Sequence, residues 1–292
     1  MKRQEVYEKS QKIGQSQPTG TDHQEVEWQF DGADLERVEG WLGEGHEALG
    51  IFAEAGEEKE LTDTYYDTAD WKLYRAGYAL RIRGQGPRRF EATIKSLASA
   101  ASSDDARRRR EISETLRGEE PDALLRKKRL GPVGEYLKAL VGSRELRLLF
   151  EVRTRRRTFD LLEVQTGSAD GSTLESRDDG SLVEIVQDDA GNIRRKGVGS
   201  RVGEAALDET EIPVGDEPVR FARVEVEAKV SEADAASLDL LKEFARAIEE
   251  EFGLRPATVS KYELGLLAKG LDPEGDLALG PVAVKENLSA DE

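Results

Sequence analysis

The chain has 292 residues, 60 Asp and Glu against 43 Lys and Arg, a net charge of −17, and 37% hydrophobic residues. It is long enough for one large domain or two small ones, but it lacks the basic field that general binding to nucleic acid or anionic membrane requires. With no cysteine and only His23 and His46, disulfides, thiolate chemistry and histidine-rich metal cages are excluded, so a metal site must be built from carboxylates, which suits Mg²⁺, Mn²⁺ or Ca²⁺.

Residues 1–22 are polar, lack an apolar signal-peptide core and read as a disordered leader. No apolar run is long enough to span a membrane, and the expected location is the cytoplasm. "EVEWQF" then alternates strictly, with Glu25, Glu27 and Gln29 on one strand face and Val26, Trp28 and Phe30 on the other. Like charges two apart on one face repel, so the pair calls for a counter-charge. "ADLERVEGWLG" reads as a short helix, "LTDTYYDT" as a strand, and "ADWKLYRAG" as a helical turn capped by Thr68 or Asp70 and stopped by Gly77. Tyr66 and Asp67 read as structural residues at that junction.

Strands follow in quick succession. "YALRIRG" puts Arg81 and Arg83 in phase, "FEATIKSL" does so for Glu91, Thr93 and Lys95, and "RRRREISE" for Arg109 and Glu111, while Arg107, Arg108 and Arg110 read as solvated. Between the last two strands, "SLASAASSDD" reads as a loop. Residues 121–142 look helical with a break near Gly131-Pro132. "LFEVRTRRRTFDL" puts Arg153, Arg155 and Arg157 in phase. "TGSADGSTLESRDDGS" reads as a long loop, and "LVEIVQDDAGNI" runs into a hairpin at Ala190-Gly191-Asn192. Residues 195–218 read as loop. "FARVEVEAKV" puts Arg223, Glu225, Glu227 and Lys229 on one face, echoing the E-x-E of the first strand. A helix capped by Ser231 and Asp234 carries a stripe of Leu238, Leu241, Phe244, Ala245, Ile248 and Phe252 and ends at Gly253. "SKYELGLLAKG" is a shorter helix, and residues 271–292 form an acidic tail.

The order is α+β. The charged faces are sorted, with acids paired on the first and last strands and arginines on those between. If these faces turned inward in a closed barrel, the acids would want a divalent cation and the arginines phosphate or carboxylate. A metal-bound polyanion satisfies both.

This ordered set, "EVEWQ", "YYDTADWKLYRAGYALRIR", "TIK", "RRRE", the arginine strand, "VEIVQDD", "VEVEAK" and "SKYELGL", resembles the CYTH superfamily, the triphosphate tunnel metalloenzymes, over about residues 23–268. The resemblance implies a closed eight-stranded antiparallel tunnel over residues 23–270. Its implied activity is metal-dependent hydrolysis of inorganic, nucleoside or thiamine triphosphate, with Mg²⁺ or Mn²⁺, or cyclisation of ATP by an adenylyl cyclase. It implies that Glu25, Glu27, Glu225 and Glu227 hold metal, with Glu184 and Asp188 either adding to the metal site or orienting water. Arg81, Arg83, Lys95, Arg109, Arg155 and Arg157 would grip phosphate, and Lys261 would reach the substrate from the last helix. The expected partner is a triphosphate-containing small molecule, with no nucleic acid and no membrane. The family's Lys is replaced by Gln29, a neutral donor. Lys229 is then a candidate stand-in cation, and a non-catalytic polyphosphate or nucleotide sensor becomes the alternative to catalysis.

Overall fold

The computed structural model describes residues 20–44, 49–86, 88–97, 106–126, 131–163, 173–176, 182–187, 193–228 and 235–274. The leader before residue 20, the loop at 98–105, the turn at 190–192, the Ser231–Asp234 cap and the tail beyond residue 274 lie outside these residues.

Strand β1 spans Gly20–Asp31, so it begins inside the stretch read as leader, and helix α1 spans Leu35–Gly43. There follow β2 (Ile51–Thr68), α2 (Lys72–Arg75), β3 (Tyr78–Gly84), β4 (Arg89–Ser96) and β5 (Arg107–Arg117). The break at Gly131-Pro132 separates α3 (Glu120–Leu125) from α4 (Pro132–Val141), proline being compatible with a first helical turn. Next come β6 (Leu146–Glu163), β7 (Thr173–Ser176), β8 (Leu182–Gln187), β9 (Ile193–Gly199), β10 (Arg201–Ile212) and β11 (Val219–Ala228). Helix α5 (Ala235–Phe252), the short β12 (Arg255–Pro256) and α6 (Lys261–Ala268) complete the chain.

The strands pair antiparallel in the order β11-β10-β6-β2-β3-β4-β5-β1, and β1 also pairs with β11, with Glu27 opposite Glu227 and Gln29 opposite Glu225. This last pairing closes an eight-stranded barrel, as expected from the sequence, and leaves only β12 added at the β1 edge. Closure removes the sheet edges. The expectation of loop over 195–218 is corrected, because β10 pairs along its whole length with both β6 and β11. Its small residues, Gly203, Ala205 and Ala206, hide the alternation that a half-buried strand shows. The expected loop at 166–181 also holds a strand, β7, which joins β8 and β9 in a second, three-stranded sheet.

Outside the barrel, Val26, Trp28 and Phe30 pack with Phe159, Leu161, Leu207, Val224 and Val226 beneath α1 and α5. A second outer cluster, including Leu80, Ile82, Ile94 and Ile112, lies under α4. A third closes one end of the barrel with α6, and holds Tyr65, Phe150, Val152, Ile212, Tyr262 and Leu266. Its rings stack tightly, with Tyr65 and Phe150 centroids 5.0 Å apart.

Helix α6 is fixed there by a capping box, with Ser260 accepting from Glu263 N and Glu263 accepting from Ser260 N. It meets Phe150 at Gly265, where a Cβ would lie 2.0 Å from the ring. Gly265→Ala is therefore expected to destabilise the protein by about 1–3 kcal/mol, read as a lowered urea midpoint. An unchanged midpoint would show that α6 does not press on this end of the barrel.

Candidate functional site

The lumen is a cavity of about 380 Å³ whose wall includes Glu25, Glu27, Gln29, Arg81, Arg83, Lys95, Arg109, Arg156, Glu225, Glu227 and Lys261. Strand alternation explains which residues arrive. Val26, Trp28 and Phe30 enter the outer core, so Glu25, Glu27 and Gln29 must point inward. The same parity brings Arg81 and Arg83 from β3, Lys95 from β4, Arg109 from β5, and Glu225 and Glu227 from β11. All of these were expected from the sequence. Lys261 enters from the first turn of α6.

The arginine strand requires a correction. Arg155 and Arg157 do not reach the lumen. Arg155 is half-exposed and makes a two-pronged pair with Glu58 at 2.9 Å, and Arg157 pairs with Glu39 of α1 and with Glu209 at 3.2 Å. The inward residue is Arg156. The three arginines are consecutive and occupy both faces, so counting charge in phase favours the wrong set. Phe159 and Leu161, which share the parity of Arg155 and Arg157 and enter the outer core, carry the signal that would have decided it.

Glu184 lies on β8 in the second sheet, at the register position opposite Lys196. Asp188 and Lys229 lie outside the described residues. Strand β10 supplies further acids, namely Glu204 on the cavity wall and Asp208, fully buried beside it. Asp63 of β2 and Arg223 of β11 are buried there too. Alternation in "ALDETEI" would have found Asp208 had the segment been read as strand.

The charges are paired across strands. Lys95 contacts Glu25 closely and lies 3.5 Å from Glu27 and 3.9 Å from Glu111. Arg109 contacts Glu27. Arg156 binds Asp208 through Nε and Nη2 at 2.7 and 2.6 Å and also reaches Glu225, while Lys261 contacts Asp208 and lies 2.9 Å from Glu225. Gln29 donates from one amide nitrogen to Glu27 at 3.0 Å and to Glu225 at 3.2 Å, and accepts from Arg223 at 3.5 Å. Arg223 is itself anchored to Asp31 at 2.8 Å and to the Val259 carbonyl at 3.0 Å.

These pairings divide the carboxylates into two groups. Burial alone would raise the Glu27 and Glu225 carboxyls, but Lys95 and Arg109 hold Glu27 below the usual range, and Lys261, Arg156 and Arg223 hold Glu225 well below it. Glu25 and Glu227 have too little positive charge around them. Burial and the Glu27 charge push Glu25 up to about 7, and burial with the Glu25 and Glu27 charges pushes Glu227 up to about 8. The β1–β11 seam thus holds more carboxyl groups than cations to pair with them, a hard-oxygen donor set that fits a divalent cation. Among the described residues no three such groups converge into a ready-made cage, because Glu27 and Glu225 are turned to cations and Gln29.

The chain is a closed antiparallel barrel whose lumen opposes cations and carboxylates, a charged tunnel. The CYTH domain profile matches residues 42–261, and the chain belongs to that family of triphosphate tunnel proteins. Among solved structures, HpAC1 from Hippeastrum, described as having a dominant triphosphatase activity, is similar with a TM-score of 0.50 and 14% identity over 86% of this chain and 99% of its own. A Bacillus halodurans protein provisionally named an adenylate cyclase gives a TM-score of 0.49 and 17% identity over 83% of this chain and 97% of its own. No curated protein matches significantly. Among the described residues no helix is long and apolar enough to cross a membrane.

Proposed function

We propose that this protein hydrolyses short inorganic polyphosphate, triphosphate above all, with the help of a divalent cation. One observation carries the reading: cations from four strands and a helix, Arg81, Arg83, Lys95, Arg109, Arg156 and Lys261, surround a cavity with surplus carboxylate on one seam. The lumen offers little to a nucleobase. Its two lining tyrosines, Tyr65 and Tyr262, are committed to the Phe150 stack, and the apolar wall residues are mostly small.

The CYTH family is generally dependent on divalent metal. Here Glu25, Glu27 and Glu227 would hold the ion, which would polarise phosphoryl oxygens and supply an activated water. The chain's own part is binding and charge stabilisation. The guanidiniums and ammonium groups exchange carboxylate oxygens for phosphate oxygens, align the chain along the lumen, and stabilise negative charge on the departing diphosphate as the terminal P–O bond breaks. Each charge-assisted contact is worth about 1.5–3 kcal/mol, so several are needed to offset desolvation of the polyanion.

The test is phosphate release from inorganic triphosphate, ATP and thiamine triphosphate with Mg²⁺ or Mn²⁺, with cyclic AMP followed in the ATP arm. Inorganic triphosphate is expected to give the highest kcat/KM, by about tenfold or more. Absence of release from all three at high protein concentration would sink the reading. Gln29, a neutral amide spent on two carboxylates where the family carries lysine, favours one second reading, a triphosphate sensor. That reading requires thermal stabilisation by triphosphate without turnover.

A further inference from the structure

Asp63 lies in the strand read from "LTDTYYDT" but is given no role by the sequence, yet it is 1% exposed beside a charged lumen. It lies on β2 directly opposite Arg83 of β3. Its two oxygens take Arg83 Nε at 2.6 Å and Nη2 at 2.8 Å, and Oδ2 is also 3.8 Å from Arg81 Nη1. On its other side, Arg81 Nη2 donates to Thr93 at 3.2 Å and lies 3.5 Å from Glu91, while Arg81 Nε is buried without a partner. Arg81 and Arg83 are two apart on one strand face, where like charges repel.

We propose that Asp63 is the positioning residue of the phosphate clamp: it holds both β3 guanidiniums side by side against their repulsion and commits the Nε–Nη2 edge of Arg83, so that the pair meets phosphate in one fixed orientation. Its inward neighbours on β2, Leu61 and Tyr65, are buried and apolar, so the carboxylate is an exception on this face, and removing it alone would leave Arg81 and Arg83 largely buried without their counter-charge. What the carboxylate adds is orientation, and preorganised charge is what stabilises a transition state. Burial would raise the Asp63 carboxyl, but Arg83 and Arg81 outweigh it and hold it well below the usual range, so the anchor stays charged at any working pH.

The inference rests on the triphosphatase reading and makes an unusual kinetic prediction. Asp63→Asn removes one negative charge from a lumen that binds an anion, so KM and Kd for inorganic triphosphate are expected to stay level or fall up to several-fold. With the guanidiniums no longer fixed, kcat is expected to fall tenfold or more. A purely structural aspartate predicts the opposite, namely a KM that rises with the loss of folded protein while kcat per folded molecule is kept, and that result would overturn the proposal. If Asp63→Asn fails to fold, Arg83→Lys keeps the charge but loses the two-pronged geometry; the same kcat loss at near-constant KM is expected, and an unchanged kcat overturns the proposal. A readout independent of turnover separates this inference from the function it rests on. The Arg83 Nε–H resonance, protected from solvent exchange in the wild type by its pair with Asp63, is expected to broaden or vanish in Asp63→Asn, and its persistence overturns the proposal even in a protein that hydrolyses nothing.

Discussion

Replacing Arg156 by Gln is expected to lower kcat/KM for inorganic triphosphate by about a hundredfold, equivalent to about 2.7 kcal/mol of transition-state stabilisation. Replacing Arg155 or Arg157 by Gln is expected to change it less than twofold. All three residues are arginines on one strand within three positions, so charge and location in the chain are nearly constant and only the direction of the side chain differs. Arg156 is buried between Asp208 and Glu225, whereas Arg155 is 47% exposed and engages Glu58 on the outer wall. Removing one partner of a buried pair also destabilises a protein, by about 3–5 kcal/mol, so kcat/KM must be expressed per folded molecule as judged by circular dichroism. Arg156→Lys retains charge but not the two-pronged contact with Asp208, and an intermediate loss is expected. Equal losses at Arg155 and Arg156 would mean that the barrel faces are assigned wrongly.

Glu227→Gln is expected to abolish turnover and yet stabilise the metal-free protein at pH 8. The Glu227 carboxyl is pushed from the ordinary carboxyl value of 4.5 up to about 8 by burial and by the Glu25 and Glu27 charges. A raised pKa means that the folded state favours the protonated acid. This contribution is fully present below pH 4.5 and is lost as pH rises through about 8. Wild-type protein should lose stability from this group over that window, and the glutamine variant should not. The expected gain for the variant is about 1–2 kcal/mol at pH 8, roughly 3–6 °C in Tm, and none near pH 4.5. The added stabilisation that Mn²⁺ gives the wild type should shrink in the variant. A Tm difference that is the same at pH 5 and pH 8 would mean that Glu227 is not held against its own charge in the free protein. Stability gained where activity is lost is the signature of a site strained for function.

Much of the site was legible in the sequence because β-strands write their inner face in period two. "EVEWQF", "YALRIRG", "FEATIKSL" and "VEVEAKV" each carry an alternation, and they deliver Glu25, Glu27, Arg81, Arg83, Lys95, Glu225 and Glu227 to the lumen. Alternation fixes which residues share a face but not which face is inside. "RTRRRTF" fits either phase: the count of arginines favours Arg155 and Arg157, whereas the outward Phe159 and Leu161 further along the strand place Arg156 inside. In β10 small residues occupy both faces, so Asp208 and Glu204 went unread. In β2 the phase itself changes. The pairing with β6 shifts register between Ala55 and Glu58, turning Ile51 and Ala53 outward and Asp63 and Tyr65 inward, and a bulge of this kind leaves little trace in composition.

The sequence by itself determined the absence of thiol and histidine chemistry, the alternating strands, the paired acids and the family. These are local or compositional properties, carried by residues a few positions apart. Only the tertiary structure decided the partners. Glu225 meets Lys261 and Arg156, Asp63 meets Arg83 and Arg81, and Gln29 bridges Glu27 and Glu225. Those contacts depend on strand order, register and the closure of β1 on β11, which bring together groups up to 196 residues apart. Whether a buried carboxylate is held charged or pushed toward neutrality follows from that neighbourhood, which is why Glu25 and Glu27, two residues apart on one strand face, are shifted in opposite directions.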